Sequence, residues 1–111
     1  MRRFALPVLL AWPVLVSGVS ADSRIPLNPR QTILEADRHL IADGWQPSPE
    51  QIPSLEERRL AAVDLKSLSA CSGTGLGFCR FDYVRDAQRL SVVTVPSQPG
   101  QPSVGRVERW W

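Results

Sequence analysis

Three side chains with acid, base and metal-binding capacity stand four residues apart early in the chain: Glu35, His39 and Asp43. On a helix this spacing places all three on one face, so a carboxylate, an imidazole and a second carboxylate could meet one divalent ion. A fourth ligand is not identified, and the plainer alternative is a solvated face on which Glu35 supports Arg38 and His39. The two cysteines, Cys71 and Cys79, are eight positions apart and bracket Gly73, Gly75 and Gly77. Three glycines let so short a segment turn back and bring the two Cα atoms to bridging distance, which predicts a disulfide. Redox work would favour Cys-x-x-Cys, and a zinc site would need ligands beyond His39. Trp110 and Trp111 close the sequence. In a strand they point to opposite faces, so at least one is partly exposed. They form either a binding patch or a terminal strand with one ring packed inward and the other capping an edge.

Other chemistries fit poorly. Gly73-Thr74-Gly75-Leu76-Gly77 has the composition of a phosphate loop, but such loops stand between a strand and a helix N-terminus, and here a strand pattern follows. His39 is the only histidine and there is no Gly-x-Ser-x-Gly elbow, so a serine triad is not supported. Glu56 and Glu57 are adjacent and diverge on a helix, so they cannot share a substrate. A chain of this size also leaves little room for the cleft of a glycosidase. The expectation is a protein without catalytic residues and without a cofactor.

The partner class depends on where the charge lies. Lys and Arg number 13 against 11 Asp and Glu, but Arg2 and Arg3 precede an uncharged run from Phe4 to Val16. Val19-Ser20-Ala21 then supplies small residues for cleavage, so residues 1–21 read as a secretory signal peptide. The apolar run is too short for a spanning helix and holds Pro7 and Pro13, which argues against a retained anchor. From Asp22 onward there are 11 basic and 11 acidic residues, so the mature chain is neutral and gives no case for nucleic acid. The expected location is periplasmic or secreted, which also favours the Cys71–Cys79 bond.

These residues need elements to position them. The mature chain, 22–111, reads as one small domain with an ordered core over 28–95. Asp22 to Leu27 is a polar lead-in expected to be mobile. Asn28, Pro29 and Gln31 predict a helix start, with N-cap, first-turn proline and capping box, and Gly44 predicts its stop. Ile33, Ala36 and Leu40, with Leu34 and Ile41, form its apolar stripe. Trp45 reads as a core plug, and Pro47 and Pro49 as an extended turn. Ser54-Leu55-Glu56-Glu57 is a second capping box, predicting a short helix over about 54–62, followed by a strand at about 65–71. Phe78 to Val84 alternates, with Cys79, Phe81 and Tyr83 on one face and Arg80 and Asp82 on the other. Leu90 to Val95 is a β-branched strand, 96–103 a proline-rich loop, and Val104 to Trp111 a returning strand. The fold class is therefore α+β: one main N-terminal helix, with room for a short second helix, packed on a three- or four-stranded antiparallel meander.

Gly44-Trp45-Gln46-Pro47, Cys71-Ser72-Gly73-Thr74-Gly75, Cys79-Arg80-Phe81 and Leu90 to Val95, in that order after a helix, resemble a group of small exported bacterial proteins of unknown function, cyanobacterial ones especially. The resemblance spans about 32–95 and is most specific from Cys71 to Phe81. It implies a signal peptide and a paired-cysteine loop and transfers no activity. The first functional expectation is a non-catalytic module that binds a protein or envelope component through an open sheet face or the Trp110–Trp111 edge. The alternative is a small metal- or ligand-binding protein using Glu35, His39 and Asp43.

Overall fold

The computed structural model describes residues 25–72 and 77–111. The leader 1–21 and most of the glycine segment, Gly73 to Leu76, lie outside the described residues. The fold is mixed α+β. In chain order the elements are α1 (Ile33–Ala42), β1 (Gln46–Pro47), α2 (Leu55–Ala61), β2 (Leu68–Cys71), β3 (Cys79–Arg85), β4 (Gln88–Pro96) and β5 (Gly105–Trp110). Among the described residues no helix is long and apolar enough to cross a membrane.

The strands form one antiparallel sheet in the order β1-β3-β4-β5, with β2 also paired to β3. The sheet thus has five strands, one or two more than the sequence suggests. The addition is β1, where Gln46 and Pro47 stand opposite Val84 and Tyr83. Proline lacks a ladder donor and reads as a turn, yet it can pair at the edge of a sheet. β1 and β2 therefore share one edge of β3 end to end, with Leu68 opposite Phe81 and Cys71 opposite Cys79.

The start of α1 also differs from expectation. Between Asn28 and Gln31 only half of the box forms: the Gln31 side chain accepts from Asn28 N–H, but Gln31 N–H bonds the Asn28 backbone carbonyl and closes a turn. Pro29 occupies its second position and Arg30 takes φ 73° at its third, the pattern of a type II turn. The true N-cap is Thr32, whose hydroxyl accepts from Glu35 N–H while the Glu35 carboxylate accepts from Thr32 N–H. At the other end Gly44, at φ 92°, permits the left-handed exit in which Trp45 N–H returns to Leu40 O. α2 begins at the expected box, with Ser54 and Glu57 capping each other.

Tyr83, Phe81, Leu90, Val92 and Val107 line the inner face of the sheet, and Ile33, Ala36 and Leu40 of α1 pack into the same core. Leu34 and Ile41, assigned to that stripe from spacing, are exposed instead. One helix against one sheet buries a stripe about one residue wide per turn, so the flanking positions stay wet. The described end of the lead-in, Ile25 to Leu27, is also anchored where a mobile segment was expected: Leu27 is buried and Ile25 packs partly on the core. Trp45 is buried as a plug, with the Arg85 guanidinium 4.6 Å over its ring and its indole N–H without a partner among the described residues. Gly105 is required by close approach, because a Cβ there would collide with the Thr94 side chain.

Candidate functional site

The three residues of the conceivable metal site are occupied separately. Glu35 completes the α1 capping box. His39 Nδ1 lies 3.0 Å from Gln31 Nε2. Asp43 sits at the C-cap and pairs with Arg85 at 2.7 Å. Among the described residues no group of three His, Cys, Asp or Glu is placed to hold a metal ion. Helical periodicity could not foresee this, because the caps at both ends claim Glu35 and Asp43 first.

Cys71 and Cys79 are joined by a disulfide between directly opposed residues of β2 and β3. The bond locks the far end of a strand only four residues long. Glu57 secures the same edge: its carboxylate caps Ser54 N–H at 2.7 Å and also accepts from Cys71 N–H at 3.0 Å. Those two backbone donors hold the Glu57 carboxyl below the usual glutamate range. One side chain thus caps α2 and satisfies an edge-strand donor.

Trp110 and Trp111 separate across the sheet. Trp110 stands opposite Val92 and packs, half-buried, on the core. Trp111 exchanges two backbone bonds with Ser91 at 2.9 and 3.1 Å, which places its ring on the outer face, 62% exposed. The Arg109 guanidinium lies 5.5 Å from the Trp111 ring centre.

The outer face holds two features that the sequence did not single out. The first is a buried polar cluster at its centre. Asp82 is wholly buried and accepts from Ser69 Oγ, from Ser91 Oγ at 2.5 Å and from Arg80 Nε at 3.0 Å. Arg80 continues to Glu50 at 3.0 Å, which lies 3.5 Å from Arg89. On the inner face Tyr83 makes a parallel link, accepting from Ser67 Oγ and donating to Asp37 of α1 at 2.7 Å. Burial pushes the Tyr83 hydroxyl well above the ordinary tyrosine range, so it remains a donor. Alternation in β3 marks Asp82 as outward, and an outward Asp reads as solvated. Its burial arises because Ser69 and Ser91 come from strands on either side.

The second feature is a shallow groove of about 370 Å³ beside that cluster. Its floor is Val93, flanked in register by Arg80 on β3 and Arg109 on β5. Phe78, Trp111, Ala70, Cys71, Ser72 and Cys79 complete the lining, and among the described residues no helix residue contributes. The parity that puts Arg80 and Asp82 on one face extends back to Phe78, which is the one signal in the sequence that could have found it. Two exposed aromatic rings and two guanidiniums around an apolar floor can hold a ligand by stacking, apolar contact and charge. No protein-family model, curated protein or solved structure matches the chain.

Proposed function

We propose that this chain is an exported, non-catalytic binding module whose working surface is the outer sheet face around Phe78 and Trp111. One observation carries this reading: large aromatic rings that the core does not use stand on either side of a shallow apolar floor. Exposed Trp beside a groove is characteristic of binding hot spots rather than of inert surface. The disulfide and the leader pattern support a destination outside the cytoplasm, as does the resemblance to small exported bacterial proteins. The partner is a protein or envelope component.

In-cell photocrosslinking tests the reading. A photoreactive residue at Phe78 should give a discrete adduct that disappears in a Trp111→Ala background, whereas one at Leu34 on α1 should give none. Equal adducts from both positions, or adducts indifferent to Trp111, would refute it.

A further inference from the structure

The chain from Asp22 onward balances 11 basic against 11 acidic residues, yet the groove lining contains two arginines and no acidic side chain among the described residues. Arg80 is compensated from beneath by Asp82 and from behind by Glu50. Arg109 has no carboxylate within ion-pair distance among the described residues, and its guanidinium rests against Trp111. Arg80 and Arg109 flank the same residue, Val93, from neighbouring strands on either side. Two strand spacings separate their backbones, roughly 10 Å. Charged donors at the two rims, an apolar floor between them and an aromatic wall on each side match the outline of an extended chain. Its acidic side chains would stand two residues to either side of an apolar one, so that all three share the face turned to the groove.

From this we infer that the groove takes an acidic peptide segment in extended conformation, carboxylates on Arg109 and Arg80 and an apolar side chain on Val93 between Phe78 and Trp111. The inference rests on the outer-face reading above and names its partner class. Guanidiniums hold carboxylates through paired N–H donors, and release from the Trp111 ring costs little because the ring can stack on the ligand backbone. Its volume lies at the low end of ligand clefts, so a few residues of chain fit and a folded surface does not.

The test is NMR titration of the mature chain with phosphatidylglycerol vesicles and with three peptides whose odd positions alternate Leu with Glu, Gln or Lys and whose even positions are Ser (Leu-Glu, Leu-Gln and Leu-Lys), so that both residue types share one face when extended. The Leu-Glu peptide should shift Phe78, Val93, Arg109 and the Trp111 indole while leaving Leu34 and Ile41 unmoved. Arg109→Gln should weaken binding about tenfold. Arg109→Glu should remove Leu-Glu binding and admit Leu-Lys, and its unchanged remaining spectrum would verify folding. Added salt should weaken the wild-type interaction. Equal binding of Leu-Gln would overturn the acidic class and leave the outer face as the working surface. Shifts from vesicles alone would overturn the inference in favour of a lipid surface. No shift on this face with any probe would overturn both the inference and the reading beneath it.

Discussion

Replacing Asp82 by alanine should be among the most damaging single changes in this protein. Its carboxylate is wholly buried and accepts from Ser69 Oγ, Ser91 Oγ and Arg80 Nε. Without it, two hydroxyls lose their acceptor in a site that water does not reach readily. Each orphaned donor costs about 1–3 kcal/mol. Arg80 adds less, roughly 0–1 kcal/mol, because it is part exposed and keeps Glu50. Asp82→Ala should therefore destabilise the fold by about 3–5 kcal/mol, a large share of the roughly 5–10 kcal/mol available to a small domain. Asp82→Asn keeps the shape and one acceptor oxygen, and a serine hydroxyl can turn to accept from its amide, so its cost should be about 1–2 kcal/mol. Urea unfolding followed by tryptophan fluorescence measures both, with slopes held equal to ensure that the midpoints report stability. A loss below about 1 kcal/mol for Asp82→Ala, or equal losses for the two variants, would refute the role given to this cluster.

The other predictions concern the groups that hold the edges. Ala62 ends α2 in the left-handed region at φ 57°, so Ala62→Gly should raise stability by about 0.5–1 kcal/mol in the same urea assay. The Glu57 carboxyl titrates below the ordinary glutamate range when folded, so its contribution is complete above about pH 4.5 and declines as pH falls through the folded value; Glu57→Gln should flatten that acid limb in thermal melts. Cys71→Ser/Cys79→Ser opens a small ring and should cost about 2.5 kcal/mol by calorimetry. Trp110→Ala should cost about 2–3 kcal/mol while Trp111→Ala stays within about 0.5 kcal/mol, because only the first packs on the core.

Much of this molecule is written locally. The Ser54–Glu57 box, the glycine stop at Gly44, the alternation of β3 and the β-branched run of β4 each depend on neighbours a few residues away, so spacing alone places them. The pairing of Cys71 with Cys79 follows from a count of two cysteines with three glycines between them. Tertiary structure decided the rest. It converted Asn28 to Gln31 from a helix cap to a turn, because Arg30 N–H bonds Val107 O and Val107 N–H bonds Gln31 O, across more than seventy residues. It drew Gln46–Pro47 into the sheet, dispersed Glu35, His39 and Asp43 among separate partners, and buried Asp82 between serines from flanking strands. The candidate site belongs to this second class. Val93, Arg80 and Arg109 come from three strands, and neither residue order nor periodicity states which strands will be neighbours. Local rules set what each segment becomes, whereas register and strand order set which side chains meet.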